Sequence, residues 1–237
     1  IETSNATYEV WNAKDQVIMY GNLTSLGGGK YRLVLNSTDV VAANTSDPSL
    51  GTYRIYVYFN RTHFVSQTVV ITWTIVEVAM IAYAQPSNVS MYWNYTSTVK
   101  IYYNRSRDKA FIGGANLTIP SSQNATGAFL ISESTGCYIL TIDGSKLSEG
   151  TYVIDVTISK QYHETKTVTV KVAVDPIPTV AWSSTSTEES EWGLNITVDF
   201  WYNRTDVSPY VGIETSNATY EVWNAKDQVI MYGNLTS

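Results

Sequence analysis

Any fold for this chain must accommodate one segment twice: residues 213–237 repeat residues 1–25, IETSNATYEVWNAKDQVIMYGNLTS, letter for letter at an offset of 212. Self-similarity at a fixed offset is the mark of repeat architecture. Each copy reads as strand, turn, strand, with YEVW and QVIM flanking Asn-Ala-Lys-Asp. Both ends of the sequence therefore fall inside strands, where a cut leaves unpaired backbone groups and bare core side chains. The expectation is a window on a longer periodic polypeptide, with an isolated duplication as the alternative.

Period-two alternation runs through most of the chain. Residues 193–203, GLNITVDFWYN, put Ile196, Val198, Phe200 and Tyr202 on one face, the pattern of a half-buried strand. The same pattern recurs at 31–35, 52–58, 68–75, 98–103, 152–158 and 167–172. No segment shows a convincing helical period, and Thr, Val, Tyr and Ile dominate, so the fold class is all-β.

A weaker repeat divides the long one. WYNRT at 201–205 answers YYNRS at 102–106, and GTYRIYV at 51–57 answers GTYVIDV at 150–156, each at an offset of 99. Each long period thus holds two related domains. Residues 1–83 are the C-terminal part of one (A), 84–175 the complete second (B), and 176–237 the N-terminal part of the next copy of A.

About seven strands per domain match the number and size of an immunoglobulin-like sandwich. Gly-x-Tyr at 51–53 and 150–152 resembles that fold's tyrosine corner. Antibody domains place a disulfide cysteine two residues later, where this chain has Ile55 and Ile154, so the sheets are expected to be held by apolar packing alone. The chain resembles the tandem immunoglobulin-like repeats of archaeal, and to a lesser degree bacterial, surface proteins: layer-associated stalks, adhesin shafts and extracellular filaments. The phrases at 148–172 and 97–119 carry that resemblance, which implies architecture and location rather than an activity.

Asparagine usage points the same way. Of 16 asparagines, 14 open an Asn-x-Ser/Thr triplet: Asn5, Asn22, Asn36, Asn44, Asn60, Asn88, Asn94, Asn104, Asn116, Asn124, Asn195, Asn203, Asn217 and Asn234. With serine and threonine near a fifth of the chain, chance supplies about three or four. The reading is N-glycosylation of most of these sites, and hence an extracellular or cell-surface protein.

Composition removes several alternatives. A net charge of −6, with 15 scattered Lys and Arg among 237 residues, argues against a nucleic-acid surface. The most apolar stretch, 64–83, is broken by Ser66, Gln67, Thr68, Thr72, Thr74 and Glu77, so it reads as a strand plus a linker and no membrane span is expected in this window. Cys137, the only cysteine, reads as a small buried side chain at the start of a strand. Neither His63 nor His163 has a catalytic context, no nucleophile elbow, zinc motif or phosphate loop occurs, and neither an enzyme nor a cofactor is expected. Gly27-Gly-Gly29 reads as a turn, and Glu188, Glu189 and Glu191 as a solvated acidic loop. A calcium site from Asp175 with Glu77 or Glu191 is a minor alternative. Asn12 and Asn224, the two asparagines outside triplets, invite a Lys–Asn crosslink, but Ala-Lys-Asp after each favours a hairpin turn.

The expected function is a structural, heavily N-glycosylated protein that self-associates into a stalk, filament or layer, its partners being its own copies and covalent glycans. Stiff junctions are expected after Thr74 and Val172, with donor-strand exchange between subunits as the alternative to a continuous array. The rival is an adhesin that binds glycan or protein through exposed aromatics, with Trp11, Trp73, Trp93 and Trp201 the residues to inspect.

Overall fold

The computed structural model describes residues 5–45, 48–214 and 217–235. They form three consecutive units of almost pure β-structure. The first contains β1 (Asn5–Trp11), β2 (Val17–Asn22), β3 (Thr24–Gly27), β4 (Lys30–Arg32), a two-turn helix α1 (Ser37–Ala43), β5 (Gly51–Asn60) and β6 (Gln67–Ile75). Four strands make one antiparallel sheet, β2-β1-β5-β6, while β3 and β4 stand apart as a hairpin. The β1–β2 connection is the asparagine turn expected from the sequence. Asn12 Oδ1 accepts from the backbone N–H of Lys14 and of Gln16, each at 3.0 Å, and Asp15 takes a left-handed φ of +58°, which Asp tolerates.

The second unit is a closed sandwich of β7 (Met80–Gln85), β8 (Asn88–Tyr92), β9 (Thr96–Arg105), β10 (Asn116–Thr118), β11 (Phe129–Ser134), β12 (Cys137–Asp143), β13 (Gly150–Lys160) and β14 (His163–Asp175). One sheet has the order β10-β13-β14-β8, with β8 parallel to β14, and the facing sheet β11-β12-β9-β7. Alternation builds the core: Ile154, Val156 and Ile158 of β13 and Val168, Val170, Val172 and Val174 of β14 face Val99, Ile101 and Tyr103 of β9 and Tyr138, Leu140 and Ile142 of β12, all buried. Cys137 is buried and unpaired. With no disulfide between the sheets, this immunoglobulin-like sandwich is held by apolar burial, on the order of 2 kcal/mol per fully buried aliphatic side chain.

Tyrosine corners close both units in the same way. Tyr53 Oη donates to Ser49 O at 2.6 Å and Tyr152 Oη to Ser148 O at 2.9 Å. Two residues before each tyrosine stands a glycine, with φ of +142° at Gly51 and +140° at Gly150, a conformation that side chains with a Cβ rarely adopt.

The third unit has β15 (Thr179–Ser183), β16 (Phe200–Arg204) and β17 (Val211–Gly212) in one small sheet, and β18 (Thr219–Trp223) with β19 (Val229–Asn234) as a separate hairpin. Three expectations change in detail. The alternating run 193–203 is a strand only from Phe200; before it, Asp199 O accepts from Ser184 N at 2.7 Å and Asp199 N donates to Ser184 Oγ at 3.1 Å, and no strand pairs with residues 193–198 among the described residues. Residues 80–83, assigned by sequence to the first domain, begin β7 and pair with β9 from Met80 opposite Arg105, so the linker is residues 76–79. Helix α1 went unforeseen: Asn36 caps it by accepting from Thr38 N at 2.9 Å, but its two buried residues, Val40 and Val41, are too few to show a period.

Candidate glycan-bearing surface and junctions

The fourteen triplet asparagines fall into distinct settings. Asn22, Asn36, Asn60, Asn88, Asn94, Asn116, Asn195, Asn217 and Asn234 have exposed side chains. They lie at exposed strand positions, in turns and in loops, and Asn36 also caps α1 through its side-chain oxygen. Asn104, Asn124 and Asn203 are half-buried. Asn124 is engaged on both sides of its amide, donating to Phe129 O at 2.9 Å and accepting from Phe129 N at 3.0 Å. Asn44 is 3% exposed and accepts from Asn12 Nδ2 at 3.0 Å, so it fastens helix α1 to the β1–β2 turn. The side chain of Asn5 lies outside the described residues.

Short linkers separate the units. Residues 76–79 are pinned from the side: Val78 N donates to Tyr162 O at 2.9 Å and Glu164 N to Val78 O at 3.1 Å. Tyr162 packs against the core of the first unit, and its hydroxyl donates to Pro48 O at 3.0 Å. Glu164 takes the backbone N–H of Met80 at 3.0 Å. Lys166 and that N–H hold its carboxyl below the usual carboxylate range.

The other junction is residues 176–178, including Pro176 and Pro178. Across it, Tyr95 Oη donates to Asp206 Oδ2 at 2.6 Å. Arg204 grips the same carboxylate in fork geometry, Nε to Oδ1 at 2.8 Å and Nη2 to Oδ2 at 2.5 Å. The guanidinium and the tyrosine hydroxyl hold the Asp206 carboxyl far below its ordinary range, while Tyr95 is pushed up, chiefly by its bond to Asp206. Such bidentate pairs fix orientation as well as supplying energy.

Of the tryptophans singled out by sequence, Trp11 and Trp73 are half-buried, and Trp11 meets Tyr56 edge-on at 5.5 Å. Trp93 is 43% exposed and Trp201 41%, the latter stacked on Trp182 at 6.0 Å. On the outer face of the closed sandwich Tyr83 stacks on Tyr102 at 4.8 Å. Glu188, Glu189 and Glu191 are exposed, and Asp175 accepts from Ser90 Oγ at 2.8 Å. Among the described residues no three His, Cys, Asp or Glu side chains gather as a metal site, and no helix is long and apolar enough to cross a membrane.

No protein-family model and no curated protein matches the chain. Solved structures with similar arrangement include the S-layer protein SbsC domains 4 and 5, at 21% identity and a TM-score of 0.31, covering 53% of this chain and 65% of that one. A longer SbsC structure, residues 31–844, has 16% identity and a TM-score of 0.34, covering 97% of this chain and 28% of that one. The Yersinia pseudotuberculosis adhesin InvE has 15% identity and a TM-score of 0.30, covering 64% of this chain and 42% of that one. The chain thus spans under two thirds of each of these proteins.

Proposed function

We propose that the chain is a structural segment of a heavily N-glycosylated extracellular or cell-surface protein, in which immunoglobulin-like domains follow one another to build a stalk, filament or layer. The observation that carries this reading is the excess of glycosylation triplets, 14 of 16 asparagines, nine with exposed side chains. The pinned linkers add to it, because Val78 and the Tyr95–Arg204–Asp206 cluster tie each junction to the closed sandwich. Such joints favour a semi-rigid rod over beads on a flexible string. Archaeal origin is part of the proposal and rests on the sequence resemblance alone.

Intact glycopeptide mass spectrometry on native material tests this reading. Sugar is expected on the nine exposed asparagines and absent from Asn44, whose amide carbonyl is committed to Asn12 in the interior. Bare asparagines at the exposed positions would remove the surface assignment.

A second reading, adhesion, is favoured by the Tyr83–Tyr102 stack, in which Tyr83 is exposed and Tyr102 half-buried, a flat ring surface of the type that binds sugars. Binding on a glycan array that is lost in Tyr102→Ala would support it.

A further inference from the structure

We propose that the sugars on Asn60, Asn104 and Asn203 fold back onto the chain, each laying its first ring on the stacked aromatic pair beside it. The proposal deepens the glycosylation reading above, depends on it, and names where three of the glycans rest.

The sequence brings the two features together. Tyr-Phe-Asn-Arg-Thr at 58–62, Tyr-Tyr-Asn-Arg-Ser at 102–106 and Trp-Tyr-Asn-Arg-Thr at 201–205 each set an aromatic ring two residues before a triplet asparagine. The same spacing recurs at Tyr20 with Asn22, Tyr92 with Asn94 and Tyr232 with Asn234, so 6 of the 14 triplets have it. Aromatics are 13% of the chain, and chance supplies about two such triplets. In a strand, residues two apart share a face and stand about 7 Å from each other, a gap that one sugar ring on the asparagine nitrogen spans.

The structure adds the second aromatic ring. Three aromatic pairs lie nearly parallel among the described residues, and each includes one of these rings: Tyr56–Tyr58 with centroids 6.5 Å apart, Tyr83–Tyr102 at 4.8 Å and Trp182–Trp201 at 6.0 Å. Two units share one layout. Tyr83 lies opposite Tyr102 and Ile81 opposite Asn104 across β7 and β9, as Trp182 lies opposite Trp201 and Val180 opposite Asn203 across β15 and β16. In the first unit the pair runs along β5 instead, with Tyr56 and Tyr58 leading to Asn60 at the end of the strand.

Where a core is present, these rings face away from it. Ile55 and Val57 of β5 and Ile101 and Tyr103 of β9 are buried, so Tyr56, Tyr58 and Tyr102 lie on the opposite faces of their strands. Tyr83 is 44% exposed, and Trp182 and Trp201 are each 41% exposed. A ring pair stabilises a sheet by itself, which accounts for the stacking but not for the triplet asparagine two residues further on. A sugar accounts for both. A pyranose presents axial C–H bonds on its face, and laying them on the negative face of an aromatic ring removes apolar area from water on both sides.

The asparagines are placed to accept this modification. Asn60 is exposed. Asn104 is half-buried, but its Oδ1 has no partner among the described residues, so no contact to that oxygen fixes its amide, in contrast to Asn44 and Asn124. Glycans so placed lie along the strands and close the rings to any foreign sugar, the opposite of the adhesion reading.

Hydroxyl-radical footprinting of the glycosylated protein tests the proposal. Ser106→Ala keeps every ring but loses the triplet at Asn104, and Asn104→Gln removes the same sugar by a different change. Made in the native host, both variants should show oxidation of Tyr83 and Tyr102 raised several-fold over the parent. Oxidation of Trp182, Trp201 and Tyr152 should stay at the parent level, the last because its strand carries no asparagine. Ser106→Thr, which keeps the triplet, should keep the protection. Equal oxidation of Tyr83 and Tyr102 in the parent and both sugar-free variants overturns the proposal, as does a bare Asn104 beside a glycosylated Asn22, and either result leaves the glycosylation reading standing. Bare asparagines throughout remove both.

Discussion

The two copies of the 25-residue segment are one sequence in two settings. Residues 7–22 and 219–234 fold into the same hairpin, with Thr7 opposite Asn22 and Thr219 opposite Asn234, and with the same irregularity before Trp11 and Trp223. Their turns match as well: Asn224 Oδ1 accepts from Lys226 N at 2.8 Å and Gln228 N at 3.1 Å, and Asp227 has φ of +56°. What differs is burial. Val10 is 0% exposed, beside Ile55 of β5 and in one buried cluster with Val40 and Val41 of α1, whereas Val222 is 39% exposed and Met231 56%. The hairpin is thus set by local chemistry, and its core only by the strands that arrive from elsewhere.

That contrast sets the order of expected effects. The largest lies where closure is complete: Tyr103→Ala removes a side chain with 0% exposure and its 2.7 Å bond to Glu164 O, and should cost about 3–5 kcal/mol. Its open counterpart, Tyr202→Ala, should cost under about 1 kcal/mol in the dilute chain. Urea denaturation of the two variants makes the comparison, and equal losses would erase the distinction between closed and open units.

Within the repeated segment, Val10→Ala should cost about 2 kcal/mol and Val222→Ala no more than about 0.5 kcal/mol. Asn12→Ala should cost about 1–3 kcal/mol, since it removes the Asn12 amide that donates to buried Asn44 and accepts from the N–H groups of Lys14 and Gln16. Asn224→Ala should cost less, because water reaches that turn. Tyr152→Phe, which leaves only Ser148 O without its donor, should cost about 1 kcal/mol. Each is read as a shift in denaturation midpoint.

Acid should act more gently and selectively. In the closed unit Asp143, Asp155 and Glu164 are all held below the ordinary range, first by bonds from Ser145, from Thr169 and from Lys166 respectively. A lowered carboxyl stabilises the fold fully above its unfolded value, about 4, and loses that contribution as pH falls through its folded value. Stability of the closed unit should therefore be level from about pH 7 to 5 and decline below about 4, less steeply in Asp155→Asn. A decline that begins near neutrality would contradict these assignments.

Much of this was legible in the sequence, for reasons visible at particular residues. Strands β13 and β14 announce themselves because apolar and polar residues alternate along faces that are in fact half-buried. Gly150 and Tyr152 were readable because the φ at the glycine and the hydroxyl bond belong to one short segment. The burial of Asn44 was not readable, because it depends on Asn12, 32 residues away. Helix α1 was hidden by its brevity. Residues 193–198 carry a strand pattern but join no strand ladder among the described residues, since alternation reports a face without saying whether its partner is present.

Hydrogen exchange at residues 195–199 tests completion of the open unit most directly, because residues 96–100 serve as an internal reference. Those reference amides lie at the start of β9, paired to β12. In native material the account predicts that residues 195–199 exchange as slowly as residues 96–100, and that in the 237-residue segment alone they exchange faster while the reference stays slow. Fast exchange at 195–199 in native material, beside slow exchange at 96–100, would contradict the reading of residues 176–237 as part of a second domain built like the closed sandwich.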